Sequence, residues 1–443
     1  MLQSMTFFFD RMVRKYLPDA FLFAILLTLV VFLLGVFLTD SSPIQMVEYW
    51  GNGFWNLLSF AMQMSLIVVT GYVLANSPPV KKILVKISQL AKTPSQGIIL
   101  VTVVALLANI INYGFGLVVG ALLAIHVAKR IPKINYRLLV ASAYSGFLIW
   151  HGGFSGSIPL TIATEDHFLS DSMGVVPITE TLFSPFNLFI VITLFVSLPF
   201  LNRMMMNTPF EPVSIGKDDG VDFPDSTAAT VETDDNDTFA EKIENSKLLS
   251  LFIGLFGLVY IVSYFLQKGF DLNINIVNFI FLFLGIIFHQ TPKLFLNSVA
   301  EAVKNAAGII VQFPFYAGIM GMMTASGLSV LFSEWFVSIS NETTYPLFTF
   351  ISAGIVNFFV PSGGGQWAVQ GPIMIPAAME LGVDTAKTAM AVAWGDAWTN
   401  MIQPFWALPL LAIAGLKVKD IMGFCVTILI WSFIPITIGL LLF

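Results

Sequence analysis

Asp396 stands well inside the apolar run Thr388–Gly415, and no other acid lies as deep within such a run. On insertion scales, a carboxylate at the centre of a membrane helix costs about 2.5–3.5 kcal/mol, so one retained there is a functional candidate by default. Two chemistries fit it. With carbonyls freed around Gly395 it would coordinate Na⁺, or it would carry a proton. Thr399, Asn400 and Gln403 lie within two helical turns of it and can join either role, and Pro404 and Pro409 favour local unwinding. The structural alternative is a protonated or capped acid that braces a break. His151 sits inside another apolar run, just before Gly152-Gly153. An imidazole can relay protons near neutral pH, although a neutral histidine hydrogen-bonded inside a helix bundle is the commoner case. Ser155 and Ser157 follow it and either line the same gap or bond back to helix carbonyls.

Two glycine-rich breaks could bind an anion. Residues 97–128 are apolar but interrupted at Asn112-Tyr113-Gly114-Phe115-Gly116, and residues 345–379 are interrupted at Pro361-Ser362-Gly363-Gly364-Gly365-Gln366. Irregular backbone at membrane depth survives only where protein buries it or where it lines a polar cavity. A half-helix that starts there points N-terminal N–H groups, with their partial positive charge, at whatever occupies the space. We find no Lys or Arg deep in any apolar run, so an anionic substrate would be held by such N–H groups and by small polar side chains. The candidates are Asn112, Tyr113, Gly114 and Gly116 at the first tip, and Ser362, Gly363, Gly364, Gly365 and Gln366 at the second, with Ser155, Ser157 and Asn400 nearby. Asn112 and Asn357, which occupy matching places in the two breaks, either help bind the coupling ion or cap and brace the tips. For the glycines the structural alternative is a tight turn or close helix packing.

The elements that must position these residues follow from composition. Of the 443 residues 56% are hydrophobic and 11% charged, against roughly 25% charged in soluble domains. Many runs reach the roughly 20 residues needed to span a bilayer, and they do not alternate as β-barrel strands do. The sequence therefore predicts an all-α polytopic membrane protein. The single cysteine, Cys425, excludes an intrachain disulfide. The four histidines are scattered, no HExxH is present and no P-loop appears. Zinc hydrolysis and ATP-driven pumping by this chain are thus disfavoured, no cofactor is expected beyond a coupling ion, and no nucleic-acid partner is implied.

In order, the sequence predicts an amphipathic cytoplasmic segment over 1–18, a first transmembrane repeat over 19–203, an acidic cytoplasmic linker over 204–247, a connecting helix over 248–266 and a second repeat over 267–443. Between Pro209 and Lys247 eleven acids face three lysines, which suits a disordered tether. The halves match at an offset of roughly 245–249 residues: Gln63 with Gln312, Ser77 with Ser326, Asn112 with Asn357 and Gly146 with Gly395. The ordered set of span, span, broken hairpin and broken span, occurring twice, predicts two inverted-topology repeats. The first hairpin's arms, read as about 15 residues or roughly 22 Å, are short for a core of roughly 30 Å and suggest re-entrant hairpins. With the N-terminus cytoplasmic, only Lys268 and Lys387 of the 21 Lys and Arg fall outside, as the positive-inside rule requires.

The stretches WGNGFWNLLSFAMQMSLIVVTGYVLA, NYGFGLVVGA, GGFSGSIPL, VPSGGGQWAVQGP and WGDAWTNMIQPFWALP resemble the short-chain fatty acid transporter family, in the family's order through both halves. More distantly the layout is similar to the ion transporter superfamily. The resemblance implies cation-coupled uptake of small monocarboxylates such as acetoacetate or butyrate across a bacterial inner membrane. It also implies alternating access by an elevator motion, and a homodimer. A dicarboxylate or aminoacyl carrier remains the alternative. An ion channel would need a continuous pore with repeated selectivity rings, and an intramembrane enzyme would need a nucleophile with its base or a set of metal ligands. Removing residues 217–237 tests the tether: membrane insertion and the detergent-extracted yield should stay at the full-length level, and loss of either shows that the segment is structural.

Overall fold

Small hydroxyl residues followed by proline set many of the helix starts. Ser42-Pro43, Thr93-Pro94, Ser184-Pro185 and Thr291-Pro292 each open a helix, and each hydroxyl accepts an N–H from the first turn. Proline suits the first helical position because its missing N–H would have had no partner there. Capping matters more where no water can reach the first turn.

The computed structural model describes residues 20–131, 133–207, 238–358, 360–403 and 405–443. The amphipathic segment expected over 1–18, and residues 208–237 of the acidic linker, lie outside the described residues. Among the described residues the regular structure is entirely helical. The first part of the chain runs α1 (Ala20–Leu38), α2 (Pro43–Gly53), α3 (Leu58–Ala75), α4 (Pro78–Ser88), α5 (Pro94–Ile111), α6 (Tyr113–Arg130) and α7 (Tyr136–Ser145). A 3-10 helix (Gly146–Gly152), α8 (Ser157–Ile162), α9 (Ser170–Met173) and α10 (Pro185–Met204) follow. After α11 (Phe239–Glu244) and α12 (Lys247–Lys268) come α13 (Ile274–His289), α14 (Pro292–Ala302), α15 (Ala307–Ala325), α16 (Leu328–Ile339), α17 (Tyr345–Val356), α18 (Gly363–Leu381), α19 (Thr385–Thr399), α20 (Ala407–Ala414) and α21 (Val418–Leu442).

Seven helical stretches among the described residues are long and apolar enough to cross a membrane. The chain is therefore described as a multi-pass membrane protein. Of these stretches α12 is the least covered by protein, with a run of exposed Leu, Phe, Val and Tyr side chains.

Three expectations need correction. First, α5 and α6 have 18 residues each, or about 27 Å at 1.5 Å per residue. Their length therefore does not distinguish a hairpin that stops part-way from two full crossings. Thr93 caps α5 earlier than hydropathy alone shows. Second, the run Thr388–Gly415 does not break at Gly395. Gly395 and Asp396 are interior residues of α19, and the described residues 400–403 and 405–406 that follow it are not α-helical. Third, the four short helices α2, α4, α14 and α16 were not expected. Each has 11 or 12 residues and an apolar face beside polar positions, too short to register as a span.

Glycine permits the closest helix pair. Gly354 of α17 and Gly395 of α19 face each other, and a Cβ on Gly395 would collide with Phe350 O and Ala353 Cβ. Small residues at such contacts let backbones approach where lipid provides no hydrophobic drive. Gly395→Ala should cost about 1–3 kcal/mol through overpacking, read as a lower thermal unfolding midpoint in detergent. An unchanged midpoint would show that α17 and α19 can separate freely.

Candidate functional site

The irregular stretch between Trp150 and Ser157 is held by both glycine-rich tips. At the first tip, Asn112 ends α5 and caps α6, its Oδ1 accepting Phe115 N–H at 2.9 Å. Tyr113 N–H donates to Ser155 Oγ at 2.9 Å and Phe154 N–H to Ile110 O at 2.6 Å. Ser155 is thus used on the tip backbone. Gly114 and Gly116 allow close packing, against Val68 and against the Asn109 side chain. At the second tip, Ser362 caps α18 by accepting Gly365 N–H at 3.4 Å. Gly363 packs on His151 and on Ser157 Oγ, Gly364 on Phe60 and Met64, and Gly365 on the Tyr316 ring, each too tightly for a Cβ. Gln366 donates from Nε2 to Ala353 O at 2.8 Å and to Gln370 Oε1 at 2.7 Å.

The two titratable candidates meet. His151 Nε2 lies 3.2 Å from Asp396 Oδ2, and both side chains are 0% exposed. Asn400 Nδ2 donates to the same Oδ2 at 3.0 Å. Asn357 Nδ2 is within hydrogen-bond reach of three acceptors: Asn400 Oδ1 at 2.9 Å, Asp396 O at 3.0 Å and Thr399 Oγ1 at 3.0 Å. Thr399 in turn donates to Gly354 O or Gly395 O, at 2.9 and 3.2 Å. A polar chain therefore runs from the end of α17, through the end of α19, to the 3-10 helix. The carbonyls of Gly395 and Asp396 already accept hydrogen bonds, so they are not freed as the sequence suggested.

The break after α19 has a local cause. Pro404 lacks the N–H that would continue the helix to Asn400 O. That carbonyl instead accepts Tyr144 Oη–H at 2.7 Å. Gln403 Oε1 accepts Phe405 N–H at 3.0 Å within the same segment. Tyr144 was missed in the sequence because a lone tyrosine in an apolar run reads as packing. Its signal was the proline four residues beyond the carbonyl that it serves.

Among the described residues several polar atoms of the cluster have no hydrogen-bond partner: Asn112 Nδ2, both ring nitrogens of His151, Ser157 Oγ, Asn357 Oδ1, Gln366 Oε1 and Asp396 Oδ1. His151 Nε2 approaches Asp396 Oδ2 at ion-pair distance without hydrogen-bond alignment. Buried polar groups normally find partners, so such a concentration marks a place built for something other than stability. Beside it, a cavity of about 450 Å³ is lined by Tyr113, Gly114, Gln312, Trp406, Lys304 and Asn305, among others, with no carboxylate in its wall. The Tyr113 ring packs 4.6 Å from that of Trp150, which lies 3.7 Å from the imidazole of His151. Of the expected substrate-binding residues, Tyr113 and Gly114 reach this cavity and the second tip does not.

With this geometry in place, the chain can be set beside known proteins. It matches the family described as Short chain fatty acid transporter over residues 1–443. The chain belongs to the short-chain fatty acid transporter family. An Escherichia coli (strain K12) relative, named provisionally as a short-chain fatty acid transporter, is 49% identical over 98% of each chain. A Haemophilus influenzae relative with the same provisional name is 50% identical over 99% of each. The fold is similar to the crystal structure of the Alcanivorax borkumensis YdaH transporter, with a TM-score of 0.60 at 16% identity, covering 95% of this chain and 98% of that one. It is also similar to Neisseria gonorrhoeae MtrF, whose structure is described with a class of antimetabolite efflux pumps: TM-score 0.51, 12% identity, 99% and 97% covered.

The polar chain makes a graded prediction. Asn357→Ala removes a donor that serves at most two of its buried acceptors at a time, a loss of about 1–3 kcal/mol. Asn357→Asp keeps the shape but sets a carboxylate against those acceptors and should lower the unfolding midpoint further. The reverse order would show that Asn357 fills space and does not clamp.

Proposed function

We propose that this protein is a secondary active carrier of short-chain fatty acids, small monocarboxylates of the acetoacetate or butyrate kind, in the bacterial inner membrane. The family match over the full chain carries this reading. The cavity supports it: a wall with amide side chains and no carboxylate, ending at the first turn of α6, suits a small anion with an apolar tail, while Lys304 at the mouth is paired with Glu301. Within this reading residues 19–203 and 267–443, holding α1 to α10 and α13 to α21, are inverted repeats, α12 is the odd crossing between them and the helix pairs α5–α6 and α17–α18 are re-entrant hairpins. The repeated order of long helix, short helix, helix pair and broken helix supports it. With a cytoplasmic N-terminus, Lys304 and Asn305 place the mouth of the cavity on the cytoplasmic side.

Uptake is coupled to H⁺ or Na⁺, and the hairpins with the broken spans move as one body against a scaffold, in a homodimer. A different small organic anion, a dicarboxylate or an aminoacyl compound, is the alternative, and competition separates them.

In proteoliposomes, labelled butyrate should enter saturably above the protein-free rate, and unlabelled acetoacetate should compete while succinate should not. Competition by succinate alone would replace the substrate class. No uptake and no counterflow of either would reject the carrier reading.

A further inference from the structure

We propose that His151 and Asp396 together form the proton-binding site of this carrier, and that each cycle moves one proton with one carboxylate without net charge. The inference rests on the transport reading above and names the coupling ion that reading leaves open.

His151 comes from the first half of the chain and Asp396 from the second, 3.2 Å apart and out of contact with water. Asp396 Oδ2 faces two nitrogens, His151 Nε2 and the donor Nδ2 of Asn400. A metal cation at that oxygen would compete with nitrogen donors, whereas a proton on Nε2 completes the contact. The backbone oxygens that a cation would recruit, at Gly395 and Asp396, accept side-chain hydrogen bonds already.

No fixed charge competes with the pair. The 3-10 helix and α19 are packed by α5, α6, α7, α8, α10, α17, α18 and α21. Facing groups on these elements include Asn109 on α5, Ser157 on α8, Asn187 on α10, Asn357 on α17 and Gln366 on α18, none of which titrates. The other titratable side chains on these elements include Tyr113 on α6, with His126 near the far end of that helix, Tyr144 on α7 and Cys425 on α21. These phenols and this thiol ordinarily titrate above neutral pH. The Lys, Arg, Asp and Glu of the same elements are confined to their ends: Lys129, Arg130, Arg137, Arg203, Glu380, Asp384, Lys387, Lys419 and Asp420.

The charges balance. With one proton bound, imidazolium and carboxylate sum to zero, and a bound monocarboxylate makes the loaded carrier −1. After substrate and proton leave, the neutral imidazole and the carboxylate make the empty carrier −1 as well. Both directions of the cycle therefore move the same charge through the membrane, and Tyr113 and Trp150 relate the pair to the substrate cavity.

Two measurements on the full chain test this. The first is tryptophan fluorescence of the purified protein between about pH 5 and 9, because Trp150 packs on the His151 ring and imidazolium quenches indole. The wild type should show a titration that is lost, or moved by more than about one pH unit, in both His151→Gln and Asp396→Asn. Identical curves in all three would overturn the site. The second uses wild-type proteoliposomes, so it does not depend on variants folding. In Na⁺-free buffer a pH gradient should drive butyrate uptake faster than in protein-free liposomes, to a final level unaffected by an imposed voltage. Accumulation that needs Na⁺, or that follows the voltage, would overturn the proposal while leaving the carrier reading intact. A titration lost in both variants, with no flux of any short-chain fatty acid, would uphold the proton site and reject the substrate instead.

Discussion

A carboxylate and an imidazole that touch in a dry interior constrain everything packed around them. Each polar group left there without a partner costs about 1–3 kcal/mol. The surrounding polar atoms are arranged accordingly. Asn400 supplies the second donor to Asp396, Asn357 holds Asn400 in the orientation that makes it a donor, and Thr399 ties the end of α19 to α17. The aromatic rings of Trp150, Tyr113 and Phe147 cover the other side.

The glycines of the second tip are shaped by the same constraint. Their sequence suggests a loop that offers N–H groups to an anion. In the structure Gly363, Gly364 and Gly365 are contact surfaces, each pressed against a side chain from elsewhere in the fold. A tip with side chains could not lie on His151. The segment's value in this conformation is its thinness, and the cavity that suits an anion opens at the other tip.

Much of the architecture was legible because hydrocarbon simplifies the code: long apolar runs become helices, and glycine or proline within them marks a break. Asp396 and His151 were legible as unusual residues for the same reason. Their contact was not, since 245 residues separate them and neither carries a local signal of the other. The position of the second break was misjudged because Gly395 looks like the weak point. Its real role is close packing with Gly354, and α19 runs on past it to Thr399. The short helices α4 and α16 escaped because amphipathic stretches of 11 or 12 residues resemble loops in a chain otherwise dominated by spans.

One feature of the cross-chain contact bears on biogenesis. The His151 side is complete well before the Asp396 side leaves the ribosome, and each half buries a titratable group that meets its counterpart only in the other half. Two first halves brought together would set imidazole against imidazole, and two second halves carboxylate against carboxylate. The pair thus acts as a lock with unlike parts, favouring assembly of one complete chain over mispaired fragments. It also leaves a truncated product with an exposed defect by which membrane proteases could recognise it.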